Sequence, residues 1–279
     1  MKKTSVSLAL FGALLAFGSQ LANAAAPDWN KVPKRTIQVF HAGVTPAEWV
    51  MKKSDHSGRT GINKGESCVG CHEEKGGLNF DMKRLAGKEL EPKGAPKTMS
   101  FPVTVQSAYD KDHAYIRLTF KAPAGGFDPA DKENDVKVAM MFANDEVSKG
   151  AQIGCWGTCH GDARTMPGAD DKKTKYTKGG AYELMQWKSA PGAKAVDGSV
   201  TDKRNMEGGT AGVVAEGSKS GDTYTVTFTR KLSGTLAEGK ATPFGVAVHA
   251  DHATGRFHHV SMGYTMGFGV DADVKATKQ

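Results

Sequence analysis

All four cysteines of this chain fall in two short segments, and each segment ends in histidine: Cys68-Val69-Gly70-Cys71-His72 and Cys155-Trp156-Gly157-Thr158-Cys159-His160. The first is the C-x-x-C-H pattern of covalent haem attachment. Two thiols add to the two vinyl groups on one porphyrin edge, and the histidine that follows brings an imidazole to the iron as an axial ligand. The second segment has one more spacer residue and reads as a C-x-x-x-C-H version of the same attachment. Zinc is excluded because no further cysteine pair at matching spacing completes a four-ligand set. Two disulfides would be the ordinary expectation for four cysteines in an exported chain, but each pair here is consumed, together with its histidine, by an attachment pattern.

The amino terminus supplies the export context. Lys2 and Lys3 precede an uncharged, mostly apolar run from Ser5 to Leu21, and Ala22-Asn23-Ala24 is a small-residue cleavage pattern. Residues 1–24 therefore read as a secretory signal peptide. A membrane anchor is the weaker reading, since the run is short and ends in that pattern. No later stretch is apolar enough to span a bilayer, so the mature chain is expected to be soluble and periplasmic. The net charge of +7 includes the two leader lysines, and so mild a surplus argues against nucleic-acid binding.

Each iron needs a second axial ligand unless it is an open catalytic site. Seven further histidines are available: His41, His56, His113, His249, His252, His258 and His259. His56, in Asp55-His56-Ser57-Gly58, is the favoured partner of the first iron. His41, at the end of the strand-like Thr36–Phe40, is its alternative. His258 and His259 are adjacent in a strand-like stretch, so they face opposite sides of a sheet and only one enters a haem pocket. His113 opens a strand and is read as structural. Met140, Met141, Met262 and Met266 are read as core packing rather than ligands.

The pattern changes along the chain. Residues 25–95 hold one strand-like stretch, a helix expected near Thr45–Lys53 with Pro46 in its first turn, and the first motif. This region reads as a small amino-terminal haem module, ending in a linker at Lys93–Pro96. Residues 96–279 alternate in short runs such as Ser100–Ser107, Tyr115–Phe120, Val136–Phe142, Tyr182–Trp187, Thr223–Thr229 and Phe244–Val248. Such runs, separated by Gly, Pro, Asp and Lys, predict a mainly β fold, an antiparallel sandwich that carries the second haem.

Val138–Phe142, Gly154–His160, Tyr182–Lys188, Phe244–His249 and Arg256–Ser261, taken as an ordered set, resemble the haem-binding domain of ethylbenzene dehydrogenase and dimethylsulfide dehydrogenase gamma subunits, the cytochrome c-552/DMSO reductase-like domain. The resemblance implies a β-sandwich holding a haem between loops. The gamma subunits bind a b-type haem through methionine and lysine. Here His160 stands where their methionine does, the cysteines make the attachment covalent, and the His258-His259 pair stands near their lysine. The resemblance thus implies His259 as the second ligand of the second iron, with His258 as the alternative. The stretch from Asp55 to His72 resembles the extra haem module that precedes such domains in some exported cytochromes.

The resulting expectation is a periplasmic dihaem c-type cytochrome, not an enzyme, holding two covalent haem c groups on Cys68, Cys71, Cys155 and Cys159. It would pass electrons in an anaerobic or respiratory chain, between partners such as a membrane quinol-oxidising cytochrome and a periplasmic reductase. Two other readings are a haem subunit of a periplasmic molybdenum oxidoreductase, and a haem enzyme with one open iron served by Asp162 and Arg164.

Overall fold

The computed structural model describes residues 26–43, 47, 51, 56, 58–74, 77–80, 96–124, 130–159, 179–255 and 257–279. The signal segment 1–24, the linker residues 93–95, Asp162, Arg164 and His160 lie outside the described residues, as does most of the helix expected over 45–53. From that helix one bond is described, Met51 N–H to Ala47 O.

Alternation makes the strands. In β11 (Thr223–Lys231) every second residue, Tyr224, Val226, Phe228 and Arg230, is buried. It pairs antiparallel with β10 (Val214–Ser220) on one side and β5 (His113–Lys121) on the other. β5 pairs in turn with β4 (Ser100–Tyr109), which completes one layer. The second layer runs β12 (Lys240–His249), β6 (Lys137–Ala143), β7 (Tyr182–Lys188), β8 (Val196–Val200) and β9 (Arg204–Asn205). Between the layers Val103, Ile116, Leu118, Val138, Met140, Phe142, Val226, Phe228, Val246 and Val248 form one core. Burying each large apolar side chain contributes about 1.5–3 kcal/mol.

Four strands stitch the layers together. β1 (Arg35–His41) lies between β4 and β13 (His259–Ser261), and β13 lies against β12. β14 (Tyr264–Phe268) pairs with β12, and β15 (Val274–Lys278) joins β14 to β4 through parallel ladders. β1 falls in the stretch that composition assigned to a separate amino-terminal module. In the structure it is a strand of the sandwich, with Ile37 and Val39 fully buried in the core. The change of pattern near residue 95 therefore does not divide this strand from the sheet: the space between β4 and β13 needs a strand, and β1 fills it. Met140 and Met266 pack in the core, as expected for methionines. No helix among the described residues is long and apolar enough to cross a membrane.

The core row of β11 ends in a cation, because Arg230 occupies the next inward position and is 2% exposed. Glu183 of β7, from the opposite layer, pairs with its guanidinium and also accepts the Thr235 N–H at 3.0 Å. Burial opposes ionisation of Glu183, but Arg230 and Thr235 outweigh it and hold the carboxyl below its ordinary value. Its folded pKa thus lies below its unfolded one. The stabilisation is present above the unfolded value and is lost as pH falls through the folded one. Glu183→Gln should cost about 2–3 kcal/mol at neutral pH, because it leaves a buried guanidinium unpaired. Denaturant titrations at a series of pH values should also show a shallower loss of stability on acidification in this variant than in the native chain.

Candidate haem sites

The first motif is wound into one turn by its own cap. Ser67 is extended, and its Oγ accepts the Gly70 N–H at 3.1 Å, which starts α2 (Cys68–His72). It follows the short α1 (Arg59–Asn63). One helical turn places Cys68 and Cys71 on the same side. Cys68 and Cys71 are not joined in a disulfide, and burial pushes the Cys68 thiol up to about 11. Next comes a tight ribbon of β2 (Glu73–Glu74) and β3 (Gly77–Leu78). It returns the chain so that Asn79 N–H donates to His72 O at 2.7 Å, while His72 Nδ1–H donates to Asn79 O at 2.9 Å. A carbonyl only accepts, so the proton is on Nδ1 and the lone pair on Nε2, the arrangement of a metal-ligating histidine.

His56 is brought to this ring. The two imidazole centres lie 5.9 Å apart, with planes 26° from parallel. Two histidine–metal bonds of about 2 Å each put the centres of two axial imidazoles roughly 6 Å apart. His56 Nδ1 is buried with no hydrogen-bond partner among the described residues. Desolvation, and then the neighbouring His72, hold His56 below its ordinary pKa, in the neutral form that binds metal. The residues of the first site therefore fit a haem held by Cys68 and Cys71 and ligated by His72 and His56. His41, the alternative to His56, is not part of this group.

The second motif is laid against the outer face of the sheet by a break in α3 (Gly150–Cys159). Gly154 has φ 67° and ψ −171° inside that helix, and a Cβ there would lie 2.4 Å from the Cα of Gly263. The break turns Cys155 onto β12. There a Cβ on Gly245 would lie 2.8 Å from its Sγ, and the thiol lies 3.5 Å from Met141 O. The cradle under Cys155 is thus built from a glycine of the strand below. The side chain of Cys159 and the whole of His160 lie outside the described residues.

The two motifs share one apolar cluster. Trp156 meets Phe40 edge-on at 5.6 Å, Phe40 meets Phe80 at 5.1 Å, and Phe80 meets His72 at 4.8 Å. Val260 and Met262 join this cluster, with Cys68 and Val69 packed on it. Cys68 also packs with Ile153 and Ile62. The indole N–H of Trp156 is buried with no acceptor among the described residues.

The remaining histidines divide by sheet face. On β12, Phe244, Val246 and Val248 enter the core, so Gly245, Ala247 and His249 face outward, on the side of Cys155. Opposite them on β13, Val260 faces outward with Ala247, and His259 faces inward. His259 is fully buried, meets Phe101 edge-on at 4.9 Å, and donates Nε2–H to Thr98 O at 2.7 Å. His41 lies beside it, with ring centres 6.0 Å apart. His258 meets His249 instead, with ring centres 4.9 Å apart and planes tilted by 32°. His249 is one of the seven spare histidines, and it takes its place from the outward row Gly245–Ala247–His249 of β12. His113 opens β5 with its N–H on Asp110, and His252 donates Nδ1–H to Asp131 O; both are structural.

The family described as ethylbenzene dehydrogenase matches residues 26–220. Cytochrome c-552 of Stutzerimonas stutzeri is 47% identical over 294 residues, covering all of both chains. Cytochrome c-551 of Rhodocyclus tenuis is 45% identical over 255 residues, covering 91% of this chain and 100% of that one. Among solved structures, a carbohydrate binding module family 9 from Caldicellulosiruptor kristjanssonii in complex with glucose aligns with 58% of this chain and 65% of its own, at 12% identity and a TM-score of 0.29. The sandwich assignment rests on the strand pairing described above.

The break at Gly154 gives a direct test of how the second motif is seated. Gly154→Ala adds both a left-handed strain and a clash with Gly263. It should destabilise the protein by at least about 2 kcal/mol, read as a lower denaturant midpoint. Ala151→Gly, in the same helix, should cost only about 1 kcal/mol.

Proposed function

The chain belongs to the ethylbenzene dehydrogenase family, and from that premise we propose that it is a periplasmic c-type cytochrome that carries two covalent haems and transfers electrons. The observation that carries the reading is the meeting of His56 with His72 on the C-x-x-C-H turn. An iron with an imidazole on each side has no position left for a substrate, which suits electron transfer rather than turnover. Bound haem iron supplies one-electron redox chemistry.

The Asn79 carbonyl orients the His72 imidazole, and the apolar side chains around the motifs keep water away. Phe40, Phe80, Trp156, Val260 and Met262 give both attachment segments a dry, low-dielectric boundary, which tunes reduction potential. For the second haem we assign Cys155, Cys159 and His160, with His258 as the second ligand. His259 was favoured over His258 from sequence. The preference moves to His258 because its ring contacts the outward-facing His249, while His259 faces the sandwich interior against Phe101. Electron partners of the expected kinds are a membrane quinol-oxidising cytochrome and a periplasmic reductase. A haem subunit docked on a larger oxidoreductase is the second reading. Family membership favours it, and it requires a partner that co-purifies.

The test is the visible spectrum of the dithionite-reduced protein before and after carbon monoxide. Sharp low-spin bands that the gas leaves unchanged are expected, and a shifted Soret band in the native protein would overturn the electron-carrier reading in favour of an open iron. His56→Ala should convert one iron to a high-spin, carbon monoxide-binding state and leave the other unchanged.

A further inference from the structure

We infer that His249 is a positioning residue for the second iron, holding the His258 imidazole in the orientation of an axial ligand. The inference rests on the assignment of His258 as that ligand. The two rings are in contact at 4.9 Å, with planes 32° apart. Both are also fixed to a single atom: His258 Nδ1–H and His249 Nε2–H donate to Gly255 O at 2.9 Å and 3.0 Å. A carbonyl oxygen has two lone pairs, and these two donors use both. Each ring's proton is thereby placed, so His258 carries its lone pair on Nε2.

The turn that presents Gly255 is itself tightly fixed. Asp251 and His252 adopt left-handed backbone, with φ 53° and 61°, a strain that persists only where the surroundings over-determine it. Here His252 N–H donates to Asp135 O at 3.0 Å, Asp131 N–H donates to His252 O at 2.8 Å, and His252 Nδ1–H donates to Asp131 O at 2.7 Å. These bonds fix the turn three residues before the shared acceptor. Packing alone does not account for a histidine at this position. Nδ1 of His249 is buried without a hydrogen-bond partner among the described residues, which costs free energy that a phenylalanine of similar size would avoid. What the histidine adds is the N–H that shares Gly255 O with His258.

The experiment uses the exported holoprotein with His249→Phe, His249→Ala and His258→Ala. It reads covalent haem content, the ferric electron paramagnetic resonance spectrum, and the carbon monoxide-reactive fraction of the reduced protein. His249→Phe keeps the ring contact and the volume and loses the N–H; His249→Ala loses both. Both variants should retain the native haem content, yet show altered resonance positions for one iron and a severalfold larger carbon monoxide-reactive fraction, with the larger change in His249→Ala. A change in either variant supports the positioning role. Native resonance lines and native gas insensitivity in both would overturn it. His258→Ala separates the two levels: if it opens no iron to carbon monoxide, the ligand assignment itself fails, whatever the His249 variants show.

Discussion

Phe40 is the contact that ties the two cysteine–histidine motifs together. β1 lies between β4 and β13, and its pleat sends Val39 into the sandwich core and Phe40 outward. From that outer face Phe40 meets Trp156 of one motif and Phe80, the neighbour of His72, beside the other. A register slip of one residue would exchange the two faces and put His41 where Phe40 stands. The pairing of β1 thus joins two segments that are remote in the chain, and the cluster it anchors keeps both attachment turns on one dry surface of the sheet.

Several of the histidines share one arrangement, in which a ring hands one N–H to a backbone carbonyl. His72 gives its proton to Asn79 O, His258 and His249 give theirs to Gly255 O, and His259 gives its own to Thr98 O. That bond decides which nitrogen of a neutral ring keeps the lone pair, and desolvation favours the neutral form in His249, His258 and His259. The same bond does not by itself make a ligand. His259 has it too, but its ring faces the sandwich interior against Phe101. The side of the sheet separates the two cases.

Local chemistry was legible in the sequence, while pairing was not. The spacing of Cys68, Cys71 and His72 identified the first attachment turn, and the alternation of Thr223–Lys231 identified a half-buried strand. His56 was found because it precedes the motif closely in the chain. The outward direction of His258 was harder to read: β13 is only three residues long, too short for its own pattern to fix the phase of alternation, and the phase comes from Ala247 and Phe40 on neighbouring strands. β1 looked like part of a separate module because its partners, β4 and β13, are distant in sequence. His249 gave no local signal, since its role depends on a row of β12 that the sequence does not show to be facing α3.

The most direct test of the central claim is the intact mass of the exported protein. The account predicts the mature chain plus two haems, with one lost in Cys68→Ala/Cys71→Ala and the other in Cys155→Ala/Cys159→Ala. A native mass carrying a single haem, or a second pair of substitutions that leaves the mass of bound haem unchanged, would contradict it.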